Sequence, residues 1–181
     1  MFTWTIKMRD YRITADSHFW HDFLVRLWDR NEGFEEKIFK QLSRIPEDDV
    51  LIHLGDICMK NDKEWHEKYI NPLKCLKILV KGNHDRKSYG RYLSNWRDFV
   101  VESLTVEWFG KRVIFTHIPT PIDGYLNIHG HLHMNKHHRP LGDDGNWDKR
   151  CCLYSQEFEN YIPIKLQALL KKHKQRCTTS D

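Results

Sequence analysis

Nowhere in this 181-residue chain does an apolar run approach the roughly 20 residues that a membrane-crossing helix requires, so no bilayer span is expected. Cysteine is scarce and irregular. Cys58, Cys75, Cys151, Cys152 and Cys177 make an odd count with no C-x-x-C pair, which argues against a disulfide framework and a thiolate zinc site and fits a reducing, cytoplasmic compartment. The amino terminus lacks the basic start and unbroken apolar stretch of a secretory signal; Met1 to Asp16 alternates like a strand, with charges inside it. Repeats, low-complexity tracts and linkers are also missing, so residues 1–181 are expected to form one domain. Nothing in the chain sets its oligomeric state.

What the chain has is charge and histidine. Charged residues make up 30% of it, and a net charge of +4 leans towards anionic partners without choosing among them. The mean hydropathy of −0.69 describes a polar surface. Twelve histidines are present, many beside Asp, Gly or another His.

Hydrophobic periodicity divides the chain into short elements. Tyr11 to Ala15 reads as a strand, Phe34 to Leu42 as a helix, Val50 to Leu54 as a strand, Trp65 to Leu73 as a weaker helix broken near Pro72, and Leu76 to Val80 as a strand. That β-α-β-α-β order predicts a parallel sheet. Leu104 to Phe109 and Arg112 to Thr116 read as a hairpin turning at Gly110-Lys111. Leu126 to His129 and Cys151 to Tyr154 read as further strands, Asn135 to Lys149 as a long polar loop containing His137 and His138, and Ile164 to Gln175 as a basic amphipathic helix.

Each strand is followed by residues of metal-ligand type. Asp16-Ser-His18, Gly55-Asp56, Gly82-Asn-His-Asp85, His117 and His129-Gly-His-Leu-His133 close five different strands. Parallel strands place their carboxyl ends on one edge of a sheet, so groups distant in sequence can meet there. Alternation in an extended segment would aim His129, His131 and His133 to one side. Alone, each piece has an ordinary reading: Asp16 as a helix cap, Gly55-Asp56 as a turn, His117 as a buried histidine. Together they supply two carboxylates, several imidazoles and an amide, enough for two ions sharing an Asp at about 3.5–4 Å. The absence of thiolate selects Mn, Fe, Zn or Ni over copper(I) or iron–sulfur.

The ordered set resembles the signature of the calcineurin-like metallophosphoesterases: D-x-H, G-D, G-N-H-[DE], H and G-H-x-H, here Asp16-Ser-His18, Gly55-Asp56, Gly82-Asn-His-Asp85, His117 and Gly130-His-Leu-His133. Asp16-Ser-His-Phe-Trp-His21 and Asn160-Tyr-Ile-Pro-Ile164 are similar to both ends of small bacterial and phage-type members without a cap domain, with Trp20 in place of the usual Gly. The resemblance implies an α/β (α+β) fold, a four-layer β-sandwich of mixed sheets flanked by helices. It assigns Asp16, His18 and His133 to one metal, Asn83, His117 and His131 to another, and Asp56 to both. It leaves His84 to contact the phosphate and stabilise or protonate the leaving oxygen, with Asp85 orienting the imidazole.

Such a centre would bind two divalent cations, manganese favoured, with Fe, Zn, Ni or Mg as alternatives. The cations would lower the pKa of a shared water from 15.7 towards ~7, so that a bridging hydroxide attacks phosphorus. Asn83, His84, Arg86 and His21 are the expected substrate contacts, and His129 is expected to be structural. With no length for a cap the site should be open, favouring a phosphodiesterase for small or nucleotide-like esters. The alternatives are a DNA or RNA nuclease, aided by the basic stretch Lys171 to Arg176, a phosphomonoesterase (nucleotidase or protein phosphatase), and an inactive metal-bound scaffold.

Overall fold

A computed structural model describes residues 9–21, 23–27, 30–96, 98–133 and 148–178. Most of the loop expected over Asn135 to Lys149, with His137 and His138, and the strand-like residues 1–8 lie outside the described residues.

Five strands form the first sheet, in the order β4-β3-β2-β1-β9: β1 (Tyr11–Thr14), β2 (Val50–His53), β3 (Leu76–Val80), β4 (Phe99–Val101) and β9 (Ile164–Lys165). β1 to β4 run parallel, and β9 lies antiparallel against β1. The second sheet has the order β5-β6-β7-β8: β5 (Leu104–Trp108), β6 (Lys111–Thr116), β7 (Leu126–His129) and β8 (Cys151–Leu153). β5 is antiparallel to β6, and the rest are parallel. The fold is thus mixed sheets flanked by helices, as the sequence implied.

The central strands of the first sheet are apolar at nearly every position because both of their faces are covered. Ile13, Ile52, Ile78 and Val80 face the second sheet and meet Val113, Phe115, Ile128 and Cys152, closed at the edge by Leu166 and Leu169 of α5 (Leu166–Thr178). Leu51 and Leu79 face the other way. There they pack against Leu24 of α1 (Phe23–Leu27), Phe34, Ile38 and Leu42 of α2 (Phe34–Leu42), and Tyr92 of α4 (Tyr89–Trp96). Between these lies α3 (Asp62–Trp65), which runs into a π-helical turn, His66–Ile70. Truncating Leu51 or Leu79 to Ala at this double seam would cost about 2–5 kcal/mol.

Differences from the sequence reading are local. α1, α4, β4 and β9 are additional elements, and the helix expected from Trp65 is the π-turn. The pairing of Trp108 with Lys111 moves the hairpin turn one residue back, to Phe109-Gly110, whose φ values of 47° and 73° suit a two-residue turn. Among the described residues no helix is long and apolar enough to cross a membrane.

Candidate metal centre

The loops that leave β1 and β2 are tied to each other by Asp16 N–H donating to Gly55 O (2.9 Å) and His18 N–H to Asp56 O (3.0 Å). Asp16 also reaches the loop after β7, where its Oδ2 accepts from His131 N–H at 2.9 Å. Asp56 reaches the loop after β3, its Oδ1 accepting from His84 N–H at 2.8 Å. Each carboxylate therefore spends one oxygen on holding a neighbouring loop and keeps one for the site.

Two glycines allow this closeness. A Cβ on Gly82 would lie 2.1 Å from Asp56 Oδ1, and one on Gly130 would lie 2.5 Å from Asp16 Oδ2. Gly82 is not among the positive-φ glycines, so what it supplies is close approach.

The backbone is strained here. Asp16, His18, Asp56, His131 and His133 adopt left-handed φ of 52°, 48°, 56°, 70° and 47°. For residues with a Cβ this costs about 1–2 kcal/mol each, and such strain clusters at functional sites. It also replaces the expected strand alternation as the device that aims His131 and His133. β7 ends at His129, which is fully buried and turns Nδ1–H onto the carbonyl of Gly130 at 2.9 Å, outside the ligand set.

The result is two groups of ligand atoms. Asp16, His18 and His133 form one, and Asp56, His117 and His131 the other, with all atoms of a group within 4.8 Å of one another. In the first, His18 Nε2 stands 3.2 Å from His133 Nε2 and 3.7 Å from Asp16 Oδ1. In the second, His117 Nε2 stands 3.1 Å from His131 Nδ1, 3.2 Å from Asp56 Oδ2 and 2.9 Å from Asn83 Oδ1. Asp56 Oδ2 looks into both, being also 3.7 Å from His18 Nε2 and 3.9 Å from His84 Nε2.

These residues fit divalent cations. Asp16 Oδ1 is buried without a hydrogen-bond partner. Burial would raise the Asp16 pKa, yet the close approach of His18 and the charges of His133 and His117 hold it well below the usual range. Burial likewise pulls on His117, but its hydrogen bond to Asp56 and the charges of Asp16 and Asp56 push it up to about 9. Two carboxylates so placed draw positive charge into a buried site. Burial keeps His18 neutral, at about 4, as a ligand must be. His117 Nδ1–H donates to Leu54 O at 2.7 Å, which turns Nε2 towards the site.

Of the other expected site residues, His84 is half-buried, its ring 5.4 Å from that of His18. His21 is also half-buried, 5.4 Å from the His18 ring. Arg86 is exposed in a cleft of about 620 Å³ that His84 also lines. Trp20, left-handed at φ 64° and 47% exposed, rests edge-on against Trp65.

Asp85 takes a different task from the one expected. Its carboxylate accepts from the backbone amides of Asp56 (2.8 Å), Gly82 (2.8 Å) and Ile57 (3.1 Å), so it braces the Asp56 loop instead of orienting His84. Burial raises its pKa to about 6 against those three bonds.

Sequence reasoning missed Arg30 and Glu157. Arg30, almost fully buried, donates to Asp16 O (2.7 Å), Ser17 O (3.0 Å) and Glu157 Oε1 (2.7 Å). Glu157 Oε1 lies 3.7 Å from His133 Nδ1, the ring nitrogen turned away from the site. Burial opposes its charge, but His133, Arg30 and Ser155 hold its pKa down to about 2.

Residues 12–170 match the family model for calcineurin-like phosphoesterases. The chain belongs to the calcineurin-like phosphoesterase family. Family membership makes it a phosphoric ester hydrolase by kinship, with a metal-binding centre consistent with the two ligand groups. Among solved structures, this phosphoesterase is similar to a protein of unknown function, AQ665, from Aquifex aeolicus. The identity is 27%, over 91% of this chain and 99% of that one, with a TM-score of 0.73. Fainter likenesses, at 19% identity, are to the nuclease MPE of Pseudomonas putida (TM-score 0.42; 68% of this chain, 60% of that one) and to an archaeal phosphodiesterase (TM-score 0.41; 75% and 79%). No curated protein sequence matches the chain.

Proposed function

We propose that the chain, acting as one domain over residues 1–181, is a dimetal phosphodiesterase. Asp16, His18 and His133 would hold one divalent cation, Asn83, His117 and His131 the other, and Asp56 both. The observation that carries this reading is Asp56 Oδ2, which faces an imidazole of each group at 3.7 Å and 3.2 Å. When bound, such a pair supplies Lewis acidity for the phosphoryl oxygens and an activated water at neutral pH. The nitrogen and oxygen donors, with no thiolate, suit manganese, iron, zinc or nickel, and manganese is the ion we propose.

His84 is the residue left to act on the substrate. Its backbone is pinned to Asp56, and its imidazole belongs to neither ligand group and has 30% of the side chain exposed. It can donate a proton or a hydrogen bond to the departing oxygen. The preference for diesters comes from the surface. Two clefts flank the ligand groups, about 620 Å³ beside His84 and about 280 Å³ beside Asn83 and His117. A diester carries a substituent on each side of phosphorus, and a monoester would leave one cleft empty. The five cysteines are free thiols, in keeping with a reducing cytoplasm.

The test is hydrolysis of bis-p-nitrophenyl phosphate with added Mn²⁺, compared with p-nitrophenyl phosphate. Turnover of the diester, lost in Asp56→Asn and reduced in His84→Ala, is the expected result. Absence of turnover with every divalent metal would leave a metal-bound scaffold, and a preference for the monoester would return the site to the phosphomonoesterases.

A further inference from the structure

The larger cleft is cationic in a way that hydrolysis of a simple diester does not need. Its lining carries five basic side chains against three acidic ones. The acids are largely engaged: Glu67 pairs with Lys63 at 3.8 Å, and Asp62 accepts from Tyr92 OH at 2.9 Å. Lys60, Arg86 and Lys87 line the same cleft and have no ion-pair partner among the described residues.

These three come from two separate loops. Lys60 precedes α3 in the segment after β2, whereas Arg86 and Lys87 follow the β3 loop directly after His84. The second loop is held in shape, since Arg86 N–H donates to His84 O (2.9 Å) and Lys87 N–H to Tyr92 OH (3.3 Å). Two loops thus bring unpaired cations into one cleft with His84, the side chain proposed to act on the leaving oxygen. The π-turn that ends α3 adds to this, because such turns recur at functional positions.

We infer that this cleft is a subsite for a second phosphate of the substrate, held by Lys60, Arg86 and Lys87, so that the preferred ester is a phosphodiester bearing a further phosphate on its leaving-group side. The inference rests on the phosphodiesterase reading for its direction, though not for its detection. Arg86 supplies a two-pronged contact and the lysines supply charge. The smaller cleft, with Lys81 and Glu102 both in its lining, is not biased in this way.

The probes are the dinucleotide TpT, its 5′- and 3′-phosphorylated forms, and a pyrophosphate-linked dinucleoside, which separates a phosphate one sugar away from one directly attached. Binding is read by calorimetry in chelator, where no hydrolysis occurs, and kcat/KM is read with Mn²⁺. One phosphorylated form should bind about tenfold tighter than TpT, with log affinity falling more steeply in log salt by about 0.7. The same form should gain in kcat/KM. In Lys60→Gln/Lys87→Gln that ratio should fall to near one, and Arg86→Lys should recover less of it than a pure charge effect would. Equal binding of all probes, or a ratio unchanged in the double variant, overturns the subsite. Absence of hydrolysis alongside selective binding would leave the subsite standing and remove the phosphodiesterase reading.

Discussion

The two halves of the centre differ in how they are held and in what they face. Asp16, His18 and His133 are 0%, 3% and 9% exposed, with Arg30 and Glu157 behind them. In the other half Asp56 and His117 are as deep, but His131 is half-buried and Asn83 is exposed. This half is braced from below by Asp85 through three backbone amides. A buried half with a charged brace suits a permanently held cation, and an open half suits a cation that meets substrate. Burial strengthens ligation by excluding water, whereas exposure lets a phosphoryl oxygen enter.

The largest effect should come from Asp56, the residue proposed to serve both halves. Asp56→Asn is expected to lower kcat by about 10³-fold, in line with several kcal/mol of lost charge stabilisation. Elemental analysis should find fewer than two ions per chain. Next comes Asp85→Asn. An amide offers one acceptor where the carboxylate serves three donors, so chemical denaturation should show a loss of about 3 kcal/mol. If instead activity fell with stability intact, Asp85 would act on His84 after all.

Glu157→Gln should weaken metal binding at the buried half by about 10–100-fold, while Asn83→Ala acts on the open half. Titration of both variants with Mn²⁺ would show whether two affinities move independently, and a parallel shift would erase the distinction between the halves. The smallest effect belongs to the scaffold. His66, fully buried under the helices, has its pKa pulled by burial to about 4, with Asp62 opposing. The unfolded chain takes up this proton below about 6.5 while the folded one does not, so stability is full above pH 6.5 and lost as pH falls towards 4. The slope is about 1 kcal/mol over the first pH unit. Thermal melts of His66→Phe should be flatter across this window, which separates scaffold loss from any pH effect on either half.

These braces also mark where the sequence stops being readable. β2 and β3 announce themselves because both faces are buried, so Val50 to His53 and Leu76 to Val80 have no polar face to confuse the pattern. β9 is two residues long and falls at the start of the segment that reads as a helix, Ile164 to Gln175, where no periodicity marks it off. The side chains brought together at the strand ends carry a local spacing that can be seen in the chain. Arg30 and Glu157 carry none: they are 127 residues apart, and each makes sense only beside the other. Asp85 was misread for the opposite reason, since its neighbour in sequence, His84, is not its partner in space. Trp20 shows the same limit. The left-handed backbone that favours Gly is kept, and the indole rests edge-on against Trp65, a contact that no local spacing announces.

Anomalous scattering from crystals soaked in Mn²⁺ bears most directly on the claim that one aspartate serves two cations. Two peaks about 3.5–4 Å apart, with Asp56 Oδ2 between them, is the result this arrangement predicts. A single peak at full occupancy in saturating metal, or two peaks with the Asp56 carboxylate on only one of them, would contradict it.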